Sequence, residues 1–336
     1  MSNKYHRRGS WVSYQNGNYT VKINLNDGTK IRENNLNTLE PSTIESFDMK
    51  ITNWCDMYCP FCHEDSNMLG KHADLKFDGT FLSKLHPYTE IAIGGGNPLA
   101  HPDLEKFLKE CKKHRFLPSI TVNQHHFMMN ICEIQNLANR NLIYGVGVSF
   151  VEPSKSFFDI LQHFNNAVVH TIAGINSVDD YRAMKDKGLK VLILGYKQIR
   201  RGERLYESLS DEIQAKISDL KAIVRQMIDE SWFEVLSFDN LALEQLGIKE
   251  ILPQETWEQF YMGDDGRDGA FDSATMFVDM VERKFAKNSC APLDERYDLL
   301  RTAEEMWNYL KKVEANKNTL EQTPDGFIRH EDKEGE

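Results

Sequence analysis

Three cysteines near the start of the chain form its densest group of candidate metal ligands. Cys55, Cys59 and Cys62 follow one another as C-x3-C-x2-C, whereas the other three of the six cysteines are scattered. In a reducing compartment such a group binds metal more often than it forms disulfides. Three thiolates on one tight loop can hold three irons of a 4Fe-4S cluster and leave the fourth iron open to a substrate or cofactor.

Two other metal sites use part of the same pattern. Cys59 to His63 also reads C-x-x-C-H, the haem-attachment pattern, but that chemistry belongs to exported proteins and leaves Cys55 without a role. A structural zinc site would take the three cysteines and His63. Adjacent Cys62 and His63 point differently from an extended loop, and structural zinc sites usually draw ligands from two knuckles. The iron cluster is therefore the leading interpretation.

A glycine run lies about thirty residues after the cysteines, where a second apolar run ends. Gly94 to Gly96 precede Asn97 and Pro98. Backbone groups of glycine approach a ligand closely because no side chain intervenes. A plain strand-to-helix turn, with Asp103 at the helix start, explains one glycine and Pro98 but not three consecutive glycines.

The two segments together resemble the radical S-adenosylmethionine (SAM) superfamily. In Thr52 to His63, Phe61 directly precedes the third cysteine, and Gly94 to Leu104 is similar to the Gly-Gly-Glu-Pro segment of relatives with its Leu-x-His-Pro-Asp-Leu continuation. Asn97 stands where relatives usually carry Glu, so a contact from its side chain to SAM lacks the strength of a carboxylate. Outside these two segments no residue carries the resemblance.

The resemblance implies an enzyme with two cofactors, a 4Fe-4S cluster and SAM. Cys55, Cys59 and Cys62 would hold the cluster, SAM would chelate the open iron, and reductive cleavage would give a 5'-deoxyadenosyl radical that abstracts hydrogen from a substrate. The residues expected to contact SAM are Phe61, Gly94, Gly95, Gly96, Asn97, Pro98, Asn123 and Ser149. The alternative is a non-catalytic protein that uses the same cysteines for Fe-S electron transfer or structural zinc.

The remaining cysteines divide by context. Cys111 on an apolar helical face and Cys132 in another helix are expected in the core. Cys290 follows the last predicted barrel strand and is a candidate hydrogen-atom donor or substrate contact. Three isolated cysteines do not make a second cluster, so the SPASM-like auxiliary-cluster domain of many peptide-modifying relatives is not expected.

Polar residues at other predicted strand ends are weaker candidates for substrate or ribose contacts. They are His125, His126, His170, Thr171, Lys197, Gln198, Arg200 and Arg201. The basic run from Lys197 is open to two interpretations, an anion-binding site for the substrate and a solvated charged face.

Alternating strands and helices must position these residues. Asn-Gly and Asp-Gly turns at residues 10–32 predict an antiparallel meander. From Ser46, seven apolar runs alternate with helical patterns, which predicts an α/β fold with a partial (β/α) TIM-like barrel and an active site at its C-terminal face. We predict a meander at 1–45, the barrel at 46–298, and a C-terminal helix with a mobile polar tail at 299–336.

Composition limits the partners. The 336 residues carry 40 Lys and Arg against 51 Asp and Glu, a net charge of −11 that makes long nucleic acid an unfavourable partner. No apolar stretch approaches a membrane span and no signal peptide is visible, so a cytoplasmic protein without membrane contact is expected. A flavodoxin or ferredoxin is the expected electron donor, and the substrate is a peptide, a nucleoside or a small metabolite.

Overall fold

Two β-sheets form the framework of the chain. The computed structural model describes residues 5–36, 39–260 and 273–321, and for 259–260 and 315–321 it describes the backbone alone. The first sheet is antiparallel with its strands in chain order: β1 His6–Arg8, β2 Trp11–Asn16, β3 Tyr19–Asn24 and β4 Lys30–Glu33. Glycines with positive φ, Gly17 and Gly28, occupy its turns, which is why the sequence folds back at these points.

The second sheet has ten strands in the described residues. They are β5 Ser46–Thr52, β6 Glu90–Gly95, β7 Leu117–Asn123, β8 Gly145–Ser149, β9 Ala167–Ile172, β10 Lys190–Leu194, β11 Val235–Phe238, β12 Thr275–Asp279, β13 Lys284–Ala286 and β14 Tyr297–Asp298. The spatial order is β11-β10-β9-β8-β7-β6-β5-β12-β13-β14. Every pairing from β11 to β12 is parallel, and β13 and β14 add antiparallel strands at one edge.

Helices follow most of the parallel strands. They are α1 Leu104–His114, α2 Gln124–Met129, α3 Ile131–Asn139, α4 Lys155–Leu161, α5 Val178–Met184, α6 Arg201–Asp229, α7 Asn240–Gln245, α8 Ile248–Ile251, α9 Gln254–Phe260 and α10 Ala303–Glu321. Ser177 and Asp180 form a reciprocal capping box at the start of α5. Apolar faces of these helices pack on the sheet and form the main core.

The small sheet covers the N-terminal ends of the large sheet's strands. Tyr14, Tyr19 and Val21 form an apolar cluster with Leu117, the first residue of β7. Below it the fully buried Glu45 accepts a hydrogen bond from the Tyr19 hydroxyl at 2.5 Å. Because this end is covered, the C-terminal ends of the parallel strands are the accessible end of the sheet.

The predicted α/β class and the antiparallel meander are confirmed. Closure of the large sheet into a partial barrel remains a prediction, since β11 and β14 are the unpaired edges among the described residues. The domain limits at residues 45 and 298 also remain predictions. No helix in the described ranges combines the length and apolar character that crossing a bilayer requires.

Two local predictions need correction. The C-terminal helix, expected from residue 299, begins at Ala303, because Thr302 and Glu305 form reciprocal capping hydrogen bonds there, and it reaches Glu321. The part of the predicted mobile tail at 322–336 lies outside the described residues. Cys132, expected in the core, is exposed: α3 buries Ile134 and Leu137, and Cys132 lies on the other face. Cys111 is buried as predicted.

Candidate active site

A cavity of about 580 Å³ opens among the C-terminal ends of the parallel strands. Most of the residues predicted to act together line it, although they come from distant parts of the chain. These are Cys55, Cys59, Phe61, Cys62, Gly94, Gly95, Gly96, Asn123 and Ser149. Asn97, Pro98 and Cys290 do not line it. Cavities of about 300–1,000 Å³ are typical of small-molecule sites in proteins.

Backbone hydrogen bonds fix both ends of the loop that carries the three cysteines. Asn53 N–H donates to Lys71 O at 2.9 Å, and Cys55 N–H donates to Asn67 O at 3.0 Å. The Thr52 hydroxyl accepts from Trp54 N–H at 2.9 Å, which turns the chain out of β5. The loop therefore leaves and rejoins the sheet at one defined place.

The three thiols influence one another and are partly shielded from water. Burial raises the pKa of Cys55 and Cys59, and the nearby Cys62 raises both further. A protein without a cation at this place would thus keep these thiols protonated, whereas bound iron stabilises thiolates. Among the described residues, no group of three or more His, Cys, Asp or Glu side chains converges on a point where one metal ion could bind. Because a 4Fe-4S cluster takes one thiolate per iron, its ligands need not converge on one point.

A histidine from the helix that follows β7 holds the cysteine loop from the side. The buried ring of His126 in α2 lies 2.6 Å, through Nε2, from Oδ1 of Asp56, which directly follows Cys55. His126 therefore positions the loop, whereas its neighbour His125 is exposed. Asn123, a predicted ribose contact, uses its side-chain oxygen to cap α2 by accepting from His125 N–H at 2.9 Å.

The glycine run serves two different purposes. Gly96 N–H donates to Thr52 O, and Asn97 N–H donates to Trp54 O, both at 2.7 Å, so the run is bonded to the start of the cysteine loop. A Cβ on Gly95 would lie 2.3 Å from Thr52 O, and one on Gly96 would lie 2.1 Å from Trp54 O. A Cβ on Gly94 would meet no atom within 4 Å. Only Gly94 leaves its space free for a ligand.

Asn97 has a structural role in the turn that follows it, which its sequence position did not predict. Its buried side-chain oxygen accepts from Leu99 N–H at 3.2 Å and starts the short turn Pro98–Ala100. The ring of His101 secures the same turn by accepting from Asp103 N–H at 3.1 Å and lying 3.0 Å from Ala73 O. The side chain of Asn97 is therefore committed to the turn rather than to the cavity.

We expect the alanine variants of Gly96 and Gly94 to behave differently. Gly96→Ala should lower the free energy of unfolding by about 1–3 kcal/mol, because the new methyl group overlaps Trp54 O. Gly94→Ala should change it by no more than about 1 kcal/mol, because its methyl group enters open space. Urea denaturation of both variants measures the difference. Equal losses would contradict the assignment of Gly96 to packing against the cysteine loop.

A buried ionic cluster lies directly beneath the cysteine loop, and sequence analysis did not find it. Lys50 Nζ, only 1% exposed, lies 2.7 Å from Glu64 Oε2 and 2.9 Å from Asp279 Oδ2. Burial alone would raise the Glu64 pKa, but His63 when protonated, Lys50 and Arg200 outweigh it and lower the pKa to about 2. This ionic cluster joins β5 and β12 to Glu64, which lies two positions after the third cysteine. Its only sequence signal is a Lys in β5 and an Asp at the end of β12.

Most of the basic run bonds to the same loop, a role that neither interpretation of the run included. Arg200 Nη1 donates to Glu64 O at 2.8 Å, Arg201 Nη2 donates to Ser66 O at 2.5 Å, and Arg204 pairs with Asp65 at 3.3 Å. These arginines secure the return of the loop. Lys197 instead lines the cavity.

His170 of β9 faces the cavity above Gly147 of β8. A Cβ on Gly147 would lie 2.4 Å from His170 Cε1, so glycine is needed there to seat the ring. Burial lowers the pKa of His170 to about 4, which keeps the ring neutral at physiological pH. A neutral imidazole can both donate and accept a hydrogen bond. Ser149, the other predicted contact from this side, also lines the cavity.

Cys290 lies beside the cavity wall. Its thiol is half-buried, and burial raises its pKa, an effect that the positive charge of Lys197 partly offsets. Its neighbour Ser289 lines the cavity in its place. The predicted role of Cys290 as a hydrogen-atom donor remains a prediction.

Comparison with known proteins gives distant structural likenesses. No family model and no curated protein matches the chain. Crystal structures of SuiB from Streptococcus suis are similar in fold. SuiB bound to the precursor peptide SuiA has 10% identity and a TM-score of 0.48, covering 84% of this chain and 83% of SuiB. SuiB bound to S-adenosylmethionine has 12% identity and a TM-score of 0.48, covering 84% and 82%. A third SuiB structure has 11% identity and a TM-score of 0.49, covering 83% and 82%.

Proposed function

We propose that the chain is a radical SAM enzyme. The observation that supports it most is that the two resembling segments, which are separate in sequence, meet at one cavity. Backbone hydrogen bonds from Gly96 to Thr52 and from Asn97 to Trp54 join the glycine run to the start of the cysteine loop. A metal-binding module without a second ligand has no need for this joined edge beside a cavity of about 580 Å³.

The side chains present fit a 4Fe-4S cluster. Cys55, Cys59 and Cys62 lie on one loop, line one cavity and would each bind one iron, which leaves the fourth iron for SAM. When bound, the cluster and SAM supply the 5'-deoxyadenosyl radical chemistry that abstracts hydrogen from a substrate. His126 and the buried ionic cluster of Lys50, Glu64 and Asp279 hold the loop. The positive charge of Arg201 acts to lower the pKa of the Cys55 and Cys59 thiols and so favours their thiolates.

The other lining residues divide the cavity between SAM and a substrate. The free space at Gly94 would admit the methionine part of SAM, and Phe61 would contact the adenine. Ser149 and Asn123 would lie near the ribose, with the Asn123 amide N–H groups as donors because its oxygen caps α2. The glycine edge would contact SAM through its backbone, since the Asn97 side chain is engaged in the following turn.

The site lacks the ligand arrangement that a zinc alternative requires. A structural zinc ion needs four ligands converging on one point, and no such group of His, Cys, Asp or Glu exists in the described residues. The ring of His63, the fourth ligand of that alternative, lies 3.4 Å from Glu64. The substrate class remains open between a peptide, a nucleoside and a small metabolite, with flavodoxin or ferredoxin as the proposed electron donor.

Anaerobic reconstitution with iron and sulfide tests this function. After addition of dithionite and SAM, we expect 5'-deoxyadenosine well above a protein-free control, measured by liquid chromatography. A reconstituted protein that carries a 4Fe-4S cluster yet releases no deoxyadenosine would favour a non-catalytic Fe-S protein. Zinc retained after aerobic purification, without visible iron-sulfide absorption, would favour the structural metal site.

A further inference from the structure

We propose that Lys197 and Ser289 bind an anionic group, a carboxylate or phosphate, of the substrate. This inference rests on the proposed function for its distinction between substrate and SAM. The anion-binding corner, defined by Lys197 and Ser289, lies in the wall of the cavity that also contains the three cysteines. It joins the loop after β10 to the loop after β13.

Lys197 has a charge that no described carboxylate neutralises. Its Nζ donates to Ser289 Oγ at 2.8 Å, and it forms no ion pair within 4.0 Å in the described part of the chain. An ammonium group has three N–H donors, so one neutral acceptor leaves two donors and the full charge available. The residue is half-buried, which limits the screening of this charge by water.

The neighbouring cations Lys50, Arg200 and Arg201 differ from Lys197, because each of them contacts a carboxylate. Lys50 contacts two carboxylates, and Arg200 and Arg201 bond to Glu64, Asp65 and Ser66. Within the basic run that follows β10, Lys197 thus differs from the arginines in facing the cavity and in lacking an acidic partner. The sequence alone could not distinguish it from them.

The opposite side of the corner is also built by a cation. Arg296, 7% exposed, donates from Nε to Ala291 O and from Nη2 to Ser289 O, both at 3.2 Å. These bonds fix the loop that carries Ser289, and Nη1 of Arg296 has no hydrogen-bond partner. Asp48 and Asp239 also line the cavity, but neither forms an ion pair with Lys197, whose Nζ bonds to the Ser289 hydroxyl. An entering anion would therefore meet, at Lys197, a positive charge that no carboxylate contacts among the described residues.

The position of the corner assigns it to the substrate rather than to SAM. The glycine edge bonds to Thr52 and Trp54, which precede the first cysteine. The basic run that carries Lys197 bonds instead, through Arg200 and Arg201, to Glu64 and Ser66, which follow the third cysteine. The two features thus lie at opposite ends of the cysteine loop. If the methionine part of SAM occupies the glycine edge, Lys197 is left for the anionic group of a second molecule.

Isothermal titration of the full-length protein with inorganic phosphate, and separately with acetate, tests the corner without radical chemistry. Lys197→Gln should weaken binding of both probes by about tenfold or more, since it removes a charge-assisted hydrogen bond. Lys197→Arg should retain binding. Lys187→Gln is the matched control, because it removes the same charge from an exposed loop. Equal binding by Lys197→Gln and the control would overturn the proposal, and circular dichroism would verify folding of each variant.

A second measurement separates the substrate from SAM. In the reconstituted enzyme, the SAM concentration that gives half-maximal deoxyadenosine release without substrate should be unchanged in Lys197→Gln. A tenfold increase would assign the corner to the SAM carboxylate and overturn the substrate assignment. If no variant releases deoxyadenosine but phosphate binding still depends on Lys197, the proposed enzyme function fails while the anion-binding corner stands. Ser289→Ala, which removes only the hydroxyl acceptor, should weaken phosphate binding less than Lys197→Gln.

Discussion

Cys59→Ser is expected to eliminate deoxyadenosine formation while the chain remains folded. Cys59 is the middle of the three cysteines, and its thiol interacts with those of both Cys55 and Cys62. A serine hydroxyl does not ionise at neutral pH and is a poor ligand for iron-sulfur clusters, so the cluster would lose one of its three protein ligands. Iron should fall from about four per chain to near background, and deoxyadenosine should fall to the level of the protein-free control.

Cys132→Ser provides the matched control for this variant. It makes the same chemical change at an exposed cysteine of α3 that does not line the cavity. Its iron content and deoxyadenosine release should equal those of the unmodified protein. If Cys59→Ser retained full iron and activity, or if Cys132→Ser lost as much as Cys59→Ser, the assignment of the cluster to the 55–62 loop would be wrong.

Lys50→Met is expected to cause the largest loss of stability among single substitutions near the site. It leaves the carboxylates of Glu64 and Asp279 buried without their shared cation. Removing one member of a buried ionic group typically costs about 3–5 kcal/mol, because the remaining charge stays desolvated. Urea denaturation should show this loss. The variant should also incorporate less iron, because Glu64 connects the cluster of charges to the cysteine loop.

Two further variants test whether unpaired charge is the cause. Lys106→Met makes the same change on the exposed face of α1 and should alter stability by less than about 0.5 kcal/mol. Adding Asp279→Asn to Lys50→Met should recover at least about 1 kcal/mol, since Glu64 would keep Arg200 as its partner. A double variant no more stable than Lys50→Met would indicate lost packing rather than unpaired charge.

Local signals predicted the elements that carry the site. Seven apolar runs became the strands β5 to β11 with limits displaced by two residues or fewer, because alternation of buried strands and amphipathic helices is a property of neighbouring residues. The capping box of Ser177 and Asp180 at the start of α5 likewise depends on neighbouring residues. Spacing also predicted that the cysteines share one loop, and strand order then brought the glycine run to that loop.

Contacts between distant residues were not predictable in this way. Lys50 and Asp279 are separated by most of the chain, and nothing near either one indicates that they meet. The residues of the basic run could not be distinguished from one another, because its arginines and Lys197 have the same local pattern but different partners. The glycine run was correctly singled out, but only the Thr52 and Trp54 carbonyls explain why Gly95 and Gly96 differ from Gly94.

Electron paramagnetic resonance of the reduced, reconstituted protein tests the central claim most directly. A reduced 4Fe-4S cluster is paramagnetic, and its spectrum depends on the ligands of each iron. If three cysteines leave one iron open to SAM, addition of SAM should change the spectrum of the unmodified protein and of Cys132→Ser alike. A cluster signal that is identical with and without saturating SAM would contradict the claim that the cysteine loop and the glycine edge form one SAM site.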